Sequence, residues 1–366
     1  MKIRILDRYI FREVLMTFLF GICAFSAVFI GSGTLFRIAQ YITEYGASLT
    51  SVAKIFVLSL PGVVIWTFPM SMLLGCLLAF GRLSSSSEIT AMKSCGVSFY
   101  RIACPALVLG FFVSIFAVWF NEYIVPWSNS AYARVVNYEI KGNTAPQSQE
   151  HIIIKDIHDG TLNRLVYARL YDAVTNRMMG VSLQLFDHGR ATHVENAEYA
   201  EWKQDRWIMH NGSIYDIPED EKKDAQHVLR FDTQVLPVSD SPGAIVRAQK
   251  KPEELTIKEL REQIAILSAR FVNTKKIETE LHQRFTIPFA SFIFALVAVP
   301  LGIQPQRSSS SRGFAIALII IFIYYVFMTM GGAIAQSGVM PAMLAVWIPN
   351  IVGLLVGLVL MRRAAR

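Results

Sequence analysis

The sequence predicts a membrane α-helical bundle of six transmembrane helices with an all-β, jelly-roll-like domain inserted between the third and the fourth. Three observations carry this. Of the 366 residues, 53% are hydrophobic and only 17% charged, and the mean hydropathy of +0.39 exceeds what a soluble core of this size needs. Six apolar runs are long enough to cross about 30 Å of hydrocarbon, which takes roughly 20 helical residues. Between the third and fourth runs the pattern changes to short segments rich in β-branched and aromatic residues.

The runs are 14–36, 55–80, 102–124, 285–303, 314–335 and 342–361. The first is longer than a signal-peptide core and no small-residue cleavage site follows it, so it is expected to remain as a true span near the start of the mature chain. The net charge of +7 is explained by position. Lys2, Arg4, Arg8 and Arg12 precede span 1, Arg82, Lys93 and Arg101 lie between spans 2 and 3, Arg307 and Arg312 between spans 4 and 5, and Arg362, Arg363 and Arg366 follow span 6. All of these fall on one side, which the positive-inside rule makes cytoplasmic. Nucleic-acid binding is thereby disfavoured, and the segment from Pro126 to Glu280 is placed outside. It contains no cysteine, because Cys23, Cys76 and Cys104 lie in spans and Cys95 in an inner loop; a disulfide framework and a cysteine metal site are not expected there.

Along the chain the domains read as 1–125 (spans 1–3, with a short helix over 84–96), 126–255 (β domain), 256–281 (connecting helix) and 282–366 (spans 4–6). Strand-like runs begin at His151, Asn163, Gly180, Arg206 and His227, separated by turn signals, and their spacing suggests a sandwich or jelly roll. Thr256 with Glu259 forms a capping-box pattern ahead of the apolar stripe Ile257, Leu260, Ile264 and Leu267.

Energy-coupling motifs are missing from the pattern. No GxxxxGK[ST] loop occurs, and the six span interiors lack Asp, Glu, Lys, Arg and His, with Arg37, Lys54, Glu122 and Arg284 at the edges. Ion-coupled transport is therefore disfavoured. His151, His158, His188, His193, His210 and His227 show no metal-ligand spacing such as HExxH, and no GxSxG marks a nucleophile; the chain is read as no enzyme, with no cofactor of its own. The stretch GRLSSSSEITAMKSCGVS from Gly81 then stands out. Ser85 and Glu88 fit a capping box, Ile89 and Met92 share an apolar face, Glu88 and Lys93 supply charge, and Gly96 supplies a stop. Such a helix suits insertion into a partner's groove; an interfacial helix lying on lipid is the alternative.

Four motifs now bear on kinship: LDRYIFRE at Leu6, the run from Leu60 through Ser98, LHQRFTIPFASFIFALVAVPLGI at Leu281, and WIPN at Trp347. Through them the chain resembles, over essentially its whole length, the LptF/LptG (YjgP/YjgQ) permeases of lipopolysaccharide export. The resemblance implies an ABC exporter core in the bacterial inner membrane, with two six-span permeases on an LptB-like ATPase dimer that supplies the ATP and Mg²⁺ sites. It implies that the short helix is the coupling helix, with Glu88, Ile89, Met92, Lys93 and Gly96 at the ATPase. It also implies a periplasmic jelly roll that passes lipopolysaccharide to LptC-like and LptA-like proteins, and lateral lipid entry between span 1 of one permease and span 5 of the other. Phe25, Phe29, Phe322, Tyr325 and Phe327 would line that route, and Arg37, with Lys54 and Arg134 as weaker candidates, would meet lipid phosphate. Gly31, Ser32 and Gly33 stand where one paralogue often carries lysines, which leaves LptF versus LptG open with a lean toward LptF, and leaves open whether the second permease is a paralogue or an identical copy. The competing reading is a membrane scaffold for a β domain, without transport.

Overall fold

A computed structural model of the chain describes residues 5–140, 149–158, 161–172, 175–187, 190–203, 205–217, 228–238, 251–269, 273–303 and 310–365. It comprises two compact units, Met1–Ala133 together with Lys275–Arg366, and Arg134–Thr274. In the first unit, six helices among the described residues are long and apolar enough to cross a membrane.

The first span is helix α1 (Ile5–Phe29), a five-residue π-helical turn (Ile30–Thr34) and α2 (Leu35–Tyr45) in direct continuation. At 1.5 Å per residue this rod is about 60 Å long, twice the thickness of a hydrocarbon core. Gly46 ends it at a φ of 63°, a left-handed geometry that suits glycine. Helix α3 (Leu49–Ser85) follows, with the Ser48 hydroxyl accepting from the Ser51 N–H. Then come α4 (Glu88–Ser94) and α5 (Phe99–Arg134), and after the β domain α6 (Ile257–Ala269), α7 (Lys275–Gly302), α8 (Ser310–Ser337) and α9 (Ala342–Ala365).

Helices α3 and α7 form the centre and are mostly buried, whereas α1, α8 and α9 leave most of their apolar surface uncovered. Helix α1 packs on α3, α3 on α7, α7 on α9, and α8 lies against α3 and α9. Lipid supplies little hydrophobic drive for helix association, so close contact and interhelical hydrogen bonds matter more. At α1–α3 a Cβ on Gly75 would lie 2.9 Å from the Phe18 backbone nitrogen, and the Thr17 hydroxyl donates to the Gly75 carbonyl at 2.9 Å. Deeper in, Tyr324 donates to the Asn350 side-chain oxygen (2.9 Å) and Asn350 donates to the Thr286 carbonyl (2.8 Å), so a buried network joins α7, α8 and α9.

Two boundaries differ from the sequence reading. Helix α5 runs through Pro126 to Arg134, and the second unit begins at Arg134 instead of 126. A proline inside a helix removes one backbone hydrogen bond and bends the rod without ending it when neighbours support it. The fourth span belongs to a helix that starts at Lys275, ten residues ahead of the apolar run. This draws Arg284 into the bundle, where it is 2% exposed and donates to the Asn121 carbonyl at 3.3 Å.

Among its described residues the second unit holds six antiparallel strands, β1 (Gln149–His158), β2 (Thr161–Asp172), β3 (Arg177–Asp187), β4 (Arg190–Lys203), β5 (Arg206–Asp216) and β6 (Val228–Leu236). They pair in chain order as one six-stranded sheet. The inserted all-β domain is as the sequence indicates, but its described strands form an up-and-down meander, without the crossed connections that a Greek-key jelly roll requires. The spatial order of the strands follows the chain, so every strand lies beside the one before it. Alternate residues such as Val166 and Ala168, Val181 and Leu183, and Trp207 and Met209 are buried together, the period-2 pattern of a one-sided sheet. Strand β4 is absent from the sequence reading, because its Thr192, Val194, Tyr199 and Trp202 are diluted by three Ala and three Glu, residues depleted in strands; Ala197 and Ala200 are nonetheless buried in the sheet's core. In α6 the capping box forms, with Thr256 N–H donating to Glu259 Oε2 at 2.9 Å and Glu259 N–H to Thr256 Oγ1 at 3.3 Å.

On the sheet, Glu201 receives Lys203, His210 and Arg177, and Tyr199 stacks on the His210 ring at a centroid distance of 4.8 Å. The hydrogen bond from Lys203, with the charges of His210 and Arg177 adding to it, holds the Glu201 carboxyl below the usual range. A depressed carboxyl pKa stabilises the fold above its unfolded value, and the contribution is lost as pH falls through the folded value. Glu201→Gln should therefore lower the β domain's unfolding temperature at pH 7, with the gap to the parent closing as pH falls below the carboxylate range, read by fluorescence of Trp202 and Trp207. In the bundle, Gly75→Val should cost about 1–3 kcal/mol by overpacking against α1, seen as a lower Tm in detergent, whereas Gly31→Ala, whose Cβ meets nothing within 4 Å, should not.

Candidate functional site

The short helix α4 connects the ends of α3 and α5 on the side of the chain termini. Its start differs from the sequence reading. The Ser85 hydroxyl donates back to the Arg82 carbonyl (2.9 Å), and the chain turns at Ser87, which has a φ of 62° and makes no side-chain cap. The expected Ser85–Glu88 capping box is therefore not formed, because the left-handed turn separates the two residues. The end follows the expectation closely. Gly96 has a φ of 81°, its N–H bonds to the Lys93 carbonyl at 2.9 Å and the Val97 N–H to the Met92 carbonyl at 3.0 Å. These two bonds make a complete Schellman motif, and Met92 and Val97 pack against the bundle core.

The orientation of α4 also corrects the sequence reading. Ile89 is 2% exposed within the bundle's own core and Met92 is half-buried against it, so this apolar face anchors the helix instead of entering a partner's groove. Thr90, Ala91, Lys93, Ser94, Cys95 and Gly96 are the exposed residues, and Glu88 is half-exposed. Lys93 Nζ lies 5.5 Å from the centroid of the Phe99 ring at the start of α5.

A second set of contacts was not foreseen in the sequence. Tyr9 of α1 donates its hydroxyl to Glu88 Oε2 at 2.8 Å, and the Ser86 hydroxyl reaches Glu88 Oε1 at 3.0 Å. Arg101 of α5 donates to Asp7 Oδ2 at 2.6 Å, and Arg82 of α3 pairs with Glu13. The opening turns of α1 thus hold all three segments that frame the loop. The signal was present in LDRYIFRE, a polar stretch with an acid at each of two helical turns ahead of an apolar span.

The proposed lipid-facing residues do not share one surface. Phe29 is 38% exposed at the end of α1, and Phe322 and Phe327 of α8 are 70% and 54% exposed. Five residues of α-helix turn through about 140° past a full circle, so Phe322 and Phe327 face different directions. Tyr325 donates to the Trp66 carbonyl at 3.0 Å and packs on α3. Phe25 is half-buried against the bundle core. Arg37 is exposed on α2 and hydrogen-bonds to the Tyr132 hydroxyl, which also bonds Tyr41. Lys54 is exposed near the start of α3, and Arg134 is exposed at the end of α5. Of the histidines, His193 pairs with Asp216 and His210 with Glu201; the side chains of His151, His158, His188 and His227 lie outside the described residues. No group of His, Cys, Asp and Glu that could hold a metal occurs among the described residues.

The clamp on α1 is open to a charge-swap test. Asp7→Arg and Arg101→Asp alone should each lower Tm, and the double variant should recover most of the loss, with a coupling of about 0.5–1 kcal/mol for a partly exposed pair.

Comparison with known proteins agrees with this architecture. The family described as lipopolysaccharide export system permease LptF/LptG matches residues 8–363. The chain is similar to the lipopolysaccharide export system permease protein LptG of Haemophilus influenzae, at 22% identity over 95% of this chain and 96% of that one. It is also similar to the permease protein LptF of Escherichia coli K12, at 21% identity over 97% and 94%. A contiguous match across all six spans and the inserted sheet places the chain in the LptF/LptG family of lipopolysaccharide export permeases.

Proposed function

We propose that the chain is a permease subunit that draws lipopolysaccharide from the inner membrane and delivers it to a periplasmic bridge, with ATP hydrolysed by a separate LptB-like ATPase dimer. The family supports the transport role. The finer reading rests on one observation: α4 is a short, sharply ended helix with its apolar side sunk in the bundle and its polar side outward. Displacement of such a helix moves α3 and α5 directly, since only Ser86–Ser87 and Cys95–Ser98 separate them. The ATPase would contact Glu88, Lys93 and the exposed residues through Gly96, while Ile89 and Met92 transmit the load.

In this reading both termini are cytoplasmic, the β domain is periplasmic and meets LptC-like and LptA-like proteins, and ATP with Mg²⁺ is held by the partner. The uncovered apolar faces of α1 and α8 are where a second permease, identical or paralogous, and the lipid would meet the chain. Phe29 and Phe322 are exposed there, with Arg37 and Arg134 available to phosphate.

The deciding experiment compares Glu88→Lys with Tyr9→Phe in co-purification and lipid-stimulated ATP hydrolysis. Tyr9→Phe removes the tie to α1 but keeps the carboxylate. Loss of ATPase binding or of coupling in Glu88→Lys, with Tyr9→Phe close to the parent, is the expected result. Parent-like export by Glu88→Lys, or a parent that retains no ATPase, would leave the scaffold reading in its place.

A further inference from the structure

We propose that a groove between α7, α8 and α9 binds an acyl chain of an anionic phospholipid from the leaflet on the side of the chain termini. The groove has a cavity volume of about 360 Å³ and an almost wholly apolar lining. It opens on helices whose apolar surface is mostly uncovered, so in a membrane it faces lipid. Its lining extends along all three helices, with α8 antiparallel to the other two. Leu301, Ile320 and Leu360 lie toward the termini, and Ile293, Phe327 and Ile348 lie toward the opposite side. From Ile348 to Leu360 the slot is about 18 Å long on a 1.5 Å rise per residue, a length that, with its volume of about 360 Å³, suits one hydrocarbon chain.

The slot persists because of how its floor is built. A Cβ on Gly353 would lie 2.8 Å from Ile293 Cγ2, so α9 is drawn tightly onto α7 to form the floor. Tyr324, which also lines the groove, gives its hydroxyl to Asn350, and presents only its ring to an occupant.

Charge selects the headgroup. The groove-facing stripe of α9 runs through Val352, Val356 and Leu360. The next position on that stripe, three residues beyond Leu360 and seven beyond Val356, is Arg363. Arg363 and its neighbour Arg362 are both exposed. Two guanidinium groups at the end of an apolar slot suit a lipid phosphate bearing net negative charge. A zwitterionic lipid fills the slot equally well but cancels less of this charge. The proposal rests on the chain crossing a membrane, and on nothing about the direction or cargo of transport.

The test is native mass spectrometry of the full chain in detergent, titrated with palmitoyl-oleoyl phosphatidylglycerol and, separately, with the phosphatidylcholine of the same chains. Phosphatidylglycerol should bind about tenfold more tightly. Arg363→Glu, a surface change, should remove that preference, and Val356→Trp, at a position 46% exposed, should fill the slot and weaken both lipids. Equal affinity for the two lipids overturns the proposal, and so does a preference that survives Arg363→Glu. If Val356→Trp does not fold, the headgroup comparison with Arg363→Glu decides alone.

Discussion

Inside a bilayer, a backbone N–H or C=O without a partner costs several kcal/mol, and that constraint sets every other feature of the bundle. Each span closes its own hydrogen bonds as a helix, so the chain reverses only at the ends of rods, and any device acting from one side of the membrane has to lie there. Helix α4 occupies such a reversal between α3 and α5. Its ends are fixed by backbone geometry, a left-handed Ser87 before it and a Schellman motif with Gly96 after it. Its apolar residues are shared with the bundle core.

Legibility in the sequence followed the strength of local signals. The six spans were legible because lipid demands long apolar runs. The capping box of α6 and the stop at Gly96 were legible because each depends on a few adjacent residues. Strand β4 was not, since Ala and Glu dilute its strand-forming residues and its place is set by its neighbours Val181, Leu183, Trp207 and Met209. The same holds for Arg284, which periodicity leaves at an edge and the bundle encloses.

The short helix α4 was legible in place but not in orientation. Which face of α4 is buried depends on α1 and α5, and sequence does not show how far they stand from it. Tyr9 and Glu88 are 79 residues apart, and Asp7 and Arg101 are 94 apart; pairs this distant are set by helix packing alone. Tyr325 illustrates the same limit, because its helix rotation points it at the Trp66 carbonyl and not at lipid.

The π-turn at Ile30–Thr34 has a geometric consequence for the first span. A π-turn takes in an extra residue relative to an α-turn, so it shifts the angular phase of everything after it by roughly 100° against the register before it. Ile10, Val14, Phe18 and Gly21 are buried along one line of α1, and past the turn only Ile38 of α2 is buried. A single continuous rod thus presents two different faces, with the half before the turn indexed to the bundle core through Ile10, Val14 and Phe18 and the half beyond it indexed through Arg37 and Tyr41 to Tyr132 of α5.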